Sequence, residues 1–410
     1  MSGIGITAIW NQANVQVALS LALLACPIAL TMWARRRALR RVAEEGLDSW
    51  FSYRLNHRLV TFLFVALWSA LWDWDGRSIA IPLLLKFRLA SLATPAAQSN
   101  LFWLLPLTFL GFNEVLFYAT NRRINGLHWT AFRIFWQGMW SIVRYAIPLF
   151  LIVAGFEYIY DGVFVGTVWI LLAVIVAAVG KVGLERALGF KTRRLKTGEL
   201  RNRAFAMAKT MGANLREVNI VPQGKGHLTN AYAGGLGSIS ITDTLSQSLT
   251  YREVDCVLAH ELAHVRLRHV REYFWLLTLP YIFLVLLLYG WPSRISEVRP
   301  LLNLVVILLP ILILNFFSRR NEYAADRDEV AVVRDPESSI RSLAKLHRLS
   351  HVPSQWSYLS ELFLSHPSLE RRARAIAQAG GVSDARAEEI LEEVNSRKNK
   401  NFSRNRSCSN

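Results

Sequence analysis

What most constrains this chain is a set of apolar runs too numerous for a soluble core: 17–33, 59–72, 101–119, 145–160, 163–180, 273–291 and 301–317. A bilayer core about 30 Å thick asks for roughly 17–25 residues of helix. Five of the seven runs meet that length as they stand, while 59–72 and 145–160 need flanking residues to finish a crossing. A short run standing alone reads as a buried core helix, but one soluble core does not need so many. The composition agrees, with 52% hydrophobic and only 19% charged residues among 410. Soluble domains carry roughly 25% charged residues.

The same chain has a formal net charge of +17, from 47 Lys+Arg against 30 Asp+Glu. A basic balance of that size invites a nucleic-acid reading, which needs the charge gathered on one soluble surface. Here it lies at the ends of the apolar runs, as in Arg35, Arg36, Arg37, Arg40 and Arg41 directly after 17–33. With the N-terminus outside and seven crossings, the inside segments are 34–58, 120–144, 181–272 and the chain from 318 onward. The Lys/Arg bias of the loops then follows the positive-inside rule. Residues 79–93 (IAIPLLLKFRLASLA) read as a re-entrant or interfacial helix; an eighth crossing there would invert everything after it. The charge is topology information, and no nucleic-acid partner is expected. The expected localisation is a multi-pass bacterial inner-membrane protein with its soluble part on the cytoplasmic side, facing anionic lipid.

The first run lacks a basic flank before it and a small-x-small cleavage site, so it reads as an anchor and not a signal peptide. Cys26, Cys256 and Cys408 are odd in number and far apart, so no disulfide framework is expected. The organisation that follows is a transmembrane region over 1–190, a soluble part over 191–272, a transmembrane hairpin over 273–317 and a second soluble part over 318–395. Residues 396–410 form a basic tail expected to be disordered.

Within the first soluble part, 198–215 has the composition of a helix, and Glu217 to Val221 reads as a strand ended by Pro222 and Gly224. Asn230 to Ala233 and Ser238 to Thr242 alternate as strands around Gly234, Gly235 and Gly237. Thr250 to Glu253 is a capping-box pattern opening a helix expected to run through Val270.

That helix carries His260-Glu261-Leu262-Ala263-His264. Spacing i, i+4 puts both imidazoles on one face a turn apart, as two ligands of one tetrahedral zinc require. Glu261 stands beside them, placed to act as general base without being a ligand. A metzincin would put a glycine three residues and a histidine six residues past His264, where Leu267 and Val270 stand. His269 is one position off and falls on another face, as a solvated or interfacial histidine. The other source of a third ligand is a carboxylate after the last apolar run, in Asn321-Glu322-Tyr323-Ala324-Ala325-Asp326. Glu322 is the candidate; the alternative is that Glu322 and Asp326 are polar residues on a helix leaving the membrane.

At this point the sequence resembles a known family, the integral-membrane zinc metalloproteases called M48 peptidases, which include the bacterial stress protease HtpX and the eukaryotic CaaX-processing enzyme Ste24. The resemblance covers roughly 193–374 and rests on several separated motifs. It implies His260, His264 and Glu322 as ligands of one Zn2+ per chain, with Glu261 as general base. It assigns Asp326 to the aspartate of the ExxxD motif. Ser365-His366-Pro367 with Arg372 is similar to the family's histidine–proline element, which implies that His366 stabilises the oxyanion and that Arg372 pairs with Asp326. Asn230, Ala231, Tyr232 and Ala233 are similar to the edge strand that binds extended substrate.

The fold class so implied is a multi-span α-helical membrane protein with an α+β zincin-type (gluzincin) metallopeptidase domain at the inner membrane face. The function implied is a zinc endopeptidase acting on membrane-embedded or misfolded proteins. The alternatives are prenylated CaaX-peptide processing, or an inactive transporter or scaffold with a protease-like domain. The oligomeric state is left open. Other features read structurally: Cys256 as a small buried helix residue, His347 and His351 as a surface pair, and Glu114 and Glu157 as carboxylates facing the bundle interior or an interface.

Overall fold

In a computed structural model, the residues described in continuous stretches are 28–41, 51–61, 95–124, 129–148, 163–187, 192–222, 229–234, 237–269, 299–350, 352–356 and 361–407, with isolated residues between. Residues 79–93, Cys26, Cys408, Glu157 and His351 lie outside the described residues, as does most of the runs 17–33, 59–72, 145–160 and 273–291. The chain divides into two compact units, one of 1–189 with 281–308 and one of 190–280 with 309–410.

The helices of the first unit include α1 (Pro95–Ile124), α2 (Ala131–Ser141) and α3 (Val163–Ala187), with a π-helical turn at Ile142–Ala146 after α2. Thr130 caps α2 by accepting from the Arg133 N–H. Gly138 lets α2 approach α1 closely, since a Cβ there would lie 2.7 Å from Val115. Glu114 faces the interior, as one of the sequence alternatives has it, and sits 3.0 Å from His57 Nε2. Beside it Asn113 donates to Thr61 at 2.7 Å. Among the described residues no helix is long and apolar enough to cross a membrane. Expected crossings overlap α1 and α3, but the side chains of 95–106 and 180–187 lie outside the described residues.

The second unit is the α+β part. Its strands are β1 (Arg193–Arg194), β2 (Glu217–Val221), β3 (Ala231–Gly234) and β4 (Ser238–Thr242), in the order β1-β2-β4-β3. β2 and β4 pair in parallel, whereas β3 and β4 form the antiparallel pair expected from the glycine-flanked alternation. Gly237 has φ 78° and its missing Cβ would lie 2.1 Å from the Asn214 carbonyl oxygen, so only glycine fits there.

Helix α4 (Glu199–Met211) packs Ala204 and Ala208 into a core with Val218, Ile239 and Ile241. After the short α5 (Asp243–Ser248) comes α6 (Tyr251–Arg266), whose capping box between Thr250 and Glu253 is formed as the sequence pattern predicts. α6 is almost entirely buried because the sheet, α4 and α8 (Pro336–Leu349) all pack on it. It stops four residues short of Val270, since Arg268 takes a left-handed φ of 57°.

α7 (Arg299–Val333) begins in the first unit and continues in the second from Leu309. α8, α9 (Leu369–Gly380) and α10 (Asp384–Ser407) close a second core around Ile340, Ile376 and Ile390. α10 differs from the disordered tail expected from 396, being helical to Ser407. No glycine or proline interrupts 384–407, so nothing local ends the helix.

Candidate metal centre

The site lies wholly in the second unit, on α6, α7, β3 and the segment leading into α9. Helical spacing stacks His260 and His264 on one face of α6, with Nε2 atoms 3.2 Å apart. From α7, Glu322 brings Oε2 to 3.5 Å from His260 Nε2 and Oε1 to 3.6 Å from His264 Nε2. Zinc–nitrogen and zinc–oxygen bonds of about 2.0–2.2 Å in a tetrahedron set their donors roughly 3.3–3.6 Å apart. Each Glu322 oxygen thus stands at a ligand-like distance from one imidazole, and one donor atom from each of the three residues lies within 4.8 Å of the other two. Glu322 Oε2 is also buried without an aligned hydrogen-bond donor, although Arg372 Nη1 stands 2.9 Å from it. The residues fit a zinc ion.

His260, Asp326 and Glu329 form a second group close enough to hold a cation. It is the poorer candidate, because a guanidinium already occupies it. Arg372 donates to Asp326 through Nε at 2.9 Å and Nη2 at 2.6 Å, a bidentate pair with every member buried. The same guanidinium contacts Glu322, so Arg372 on α9 ties two carboxylates of α7 into one lock. Asp326 in turn faces His260 Nδ1 at 3.0 Å, leaving Nε2 for the Glu322 side.

Burial disfavours charge on each of these groups, and their partners decide the outcome. At Glu322, burial is outweighed by the His366 and Arg372 charges, which hold the carboxyl well below 4.5. At His260, burial loses to hydrogen bonds that the ring donates to Asp326, Glu322 and Glu329, which hold its pKa well above 6.5. At His264, burial and the neighbouring His260 push it down to about 3. It is therefore neutral near pH 7, as ligation demands, while a cation at His260 would displace a proton. Burial pushes the Glu261 carboxyl up, with the Glu322 charge adding to it.

Glu261 faces the sheet, accepting the main-chain N–H of Ala233. β3 is an edge strand, and its register explains that contact. Thr242 N–H donates to the Asn230 carbonyl at 2.9 Å, and Asn230 N–H donates to Thr242 Oγ1 at 3.0 Å. Antiparallel pairs alternate, so Tyr232 turns its main-chain groups to β4, and those of Ala231 and Ala233 face the open edge. The Tyr232 side chain is exposed. His366 is also exposed, with Nδ1 3.0 Å from Glu322 Oε1.

His260, Glu261, His264, Glu322, Asp326, His366 and Arg372 thus lie in one cluster, with Asp326 and Arg372 paired, and of 230–233 it is Ala233 that reaches it, through Glu261. Two further residues belong to it. Glu329 is buried, with Oε2 3.6 Å from His260 Nδ1; its i, i+7 spacing from Glu322 was the available signal. His269, expected on a solvated face, is buried instead, with Nδ1 2.7 Å from His264 Nδ1. The turn at Arg268 takes it off the helical path that put it elsewhere. His347, expected on the surface, is half-buried, its ring stacked on Trp356 with 6.4 Å between centroids. Cys256 is a buried free cysteine, as expected, whose thiol burial pushes up, so it is inert.

The profile of peptidase family M48 matches residues 194–379. A protease HtpX homolog of Syntrophobacter fumaroxidans is 33% identical over 183 residues, 36% of this chain and 65% of the relative. One of Helicobacter pylori is 26% identical over 176 residues, and the match spans 57% of its length. One of Bacteroides fragilis is 25% identical over 269 residues, 54% of this chain and 79% of the relative. The chain thus spans less than two thirds of the first two relatives it matches. Among solved structures, the S. mikatae Ste24p crystal structure superposes with a TM-score of 0.51 at 19% identity, over 87% of this chain and 98% of that one. That likeness is one of fold. The ligand residues, the Asp326–Arg372 lock and the edge strand all lie inside 194–379, the stretch that the peptidase family M48 profile matches.

Proposed function

We propose that the protein is a zinc-dependent integral-membrane endopeptidase that hydrolyses peptide bonds in extended segments of membrane-associated proteins. The observation that carries this reading is the convergence of His260, His264 and Glu322, with the two Nε2 atoms 3.2 Å apart and a Glu322 oxygen 3.5–3.6 Å from each, beside a carboxylate that is not a ligand. When bound there, zinc polarises the scissile carbonyl and makes a water acidic enough to deprotonate near neutral pH.

The rest is done by the chain. Glu261 accepts the proton of the attacking water on its carboxylate and hands it to the departing amide nitrogen, leaving a carboxylate and an amine. The Ala233 N–H orients that carboxylate. The outward main-chain groups of Ala231 and the carbonyl of Ala233 take the substrate as an added antiparallel strand, and such pairing reads backbone more than side chains. His366 keeps Nδ1 against Glu322, so it can donate from Nε2 to the carbonyl oxygen only as imidazolium. Asp326 and Arg372 hold α7 and α9, which position Glu322 and His366.

The membrane setting is supported by the seven apolar runs and the Lys/Arg bias of the segments between them. Apolar side chains exposed along α3, including Phe164, Leu171, Ile175 and Val179, suit a lipid-facing helix. On that reading the catalytic domain faces the cytoplasm of a bacterial inner membrane. The substrate panel includes a misfolded membrane protein and a prenylated CaaX peptide.

The test is zinc content and proteolysis by purified full-length protein in detergent, wild type beside Glu261→Gln. The variant should retain one zinc per chain and lose about 10²- to 10⁴-fold in cleavage rate. Cleavage that survives in the variant, or a wild type without zinc, would refute the proposal.

A further inference from the structure

We infer that His269 is a positioning residue for the metal centre, fixing His264 as an Nε2 ligand by accepting a hydrogen bond from its Nδ1–H. The inference rests on the reading of His260, His264 and Glu322 as a zinc site.

The two Nδ1 atoms lie 2.7 Å apart, and the rings meet edge to face at 71° with centroids 4.9 Å apart. One of the two nitrogens must carry the proton and the other the lone pair. His264 Nε2 faces His260 Nε2 at 3.2 Å and Glu322 Oε1 at 3.6 Å, so its lone pair is required on that side. In a neutral imidazole the proton then sits on Nδ1. His264 is therefore the donor, and His269 accepts on Nδ1 while keeping its own proton on Nε2. The contact selects a tautomer.

The backbone is built to make this contact. Had α6 continued, a residue five positions past His264 would point about 140° away from it around the helix. Instead α6 ends at Arg266, and Arg268 adopts φ 57°, a conformation that L side chains other than Asn and Asp rarely take. The turn is held by Arg268 N–H to the Val265 carbonyl at 3.3 Å and Glu272 N–H to the Arg268 carbonyl at 3.1 Å. Glu272 is anchored in turn by the Asn321 side-chain amide at 2.7 Å, one residue before the third ligand. A disfavoured turn, tied to the helix that carries Glu322, thus returns His269 beneath His264. His269 ends buried at 4% exposure.

The arrangement repeats on the other ligand in different chemistry. His260 has the Asp326 carboxylate 3.0 Å behind its Nδ1, whereas His264 has a neutral ring. Acceptors of this kind orient ligating histidines, and removing one costs about 10- to 100-fold in metal affinity.

Chelator-competition titration of full-length protein in detergent measures the zinc Kd of wild type, His269→Phe and His269→Asn. Phenylalanine keeps a ring but offers no acceptor; the asparagine Oδ1 replaces the lost lone pair. The phenylalanine variant should bind zinc about 10- to 100-fold more weakly, with asparagine within about threefold of wild type. The visible absorption of the cobalt-substituted protein should shift for phenylalanine and not for asparagine. His269→Leu serves the same purpose if the phenylalanine variant does not fold. Zinc bound equally tightly without an acceptor, or lost equally with asparagine, overturns the inference. A wild type that takes up no zinc refutes the metal-site reading itself.

Discussion

The site has two faces built on opposite principles. Its inner face gathers His260, Glu322, Asp326, Glu329 and Arg372, every one buried and held by charge. Its outer face, formed by β3 and His366, is partly open and offers main-chain groups and an exposed ring. The inner face lies where burial makes each unpaired charge costly, so its geometry is over-determined. Among the described residues the outer face is a strand edge with no further strand on it, whereas sheet edges are ordinarily covered or blunted. The contrast teaches that rigidity and access are assigned to different elements: helices fix the ligands, and a strand edge receives the chain. Glu261 joins the two, since it sits on α6 between the ligands and accepts from Ala233.

The largest way to break that contrast is at the lock. Arg372→Met leaves Asp326 and part of Glu322 buried without their cation. Removing one partner of a buried pair costs about 3–5 kcal/mol, so melting in detergent should fall well below wild type and zinc occupancy should drop. Arg372→Lys should recover little, because a single ammonium cannot make the bidentate contact with Asp326. A methionine variant that melts like wild type would mean the inner face is not held by charge.

A smaller effect is expected on the outer face. Ala233→Pro deletes one outward N–H while sparing the β4 pairing, and proline is tolerated at strand edges. Melting should change little, but cleavage should fall about 10- to 100-fold, the worth of a hydrogen bond to a charged group of about 1.5–3 kcal/mol. Unaltered cleavage would remove the strand from the catalytic arrangement.

The smallest effect tests the border between the faces. Burial, with the Arg372 and His366 charges behind it, pushes His347 down to about 3. The folded protein therefore keeps it neutral while the unfolded chain protonates it near pH 6.5. Between those values the unfolded state binds the extra proton, so this residue's contribution is full above pH 6.5 and is lost as pH falls toward 3. Comparing melting at pH 7 and pH 5, His347→Leu should lose less than wild type. An equal loss in both proteins would place the acid sensitivity elsewhere.

The site was readable from local pattern wherever chemistry repeats at helical or strand spacing. His260, Glu261 and His264 follow from i, i+4 on a capped helix, and β3 from alternation between glycines. Glu322 was reachable only as a candidate, because spacing does not bring a residue about sixty positions away to the same metal. The resemblance supplied Asp326, His366 and Arg372, and packing brought them together. His269 was missed for a definite reason: periodicity extends a helix until a known stop signal, and an arginine in the left-handed region is not one. His347 was misread as surface because its cover, the 352–356 segment with Trp356, carries no periodic signal.

By itself the sequence determined what is local and additive: where apolar length accumulates, which side the arginines favour, where helices are capped and which residue types sit a turn apart. Tertiary structure decided what depends on burial and convergence: that Glu322 reaches both histidines, that Arg372 bridges two carboxylates, and that His269 lies under His264. Each of those contacts joins segments across a turn or another helix. Their protonation and partners come from a low-dielectric interior that exists only once the chain has packed.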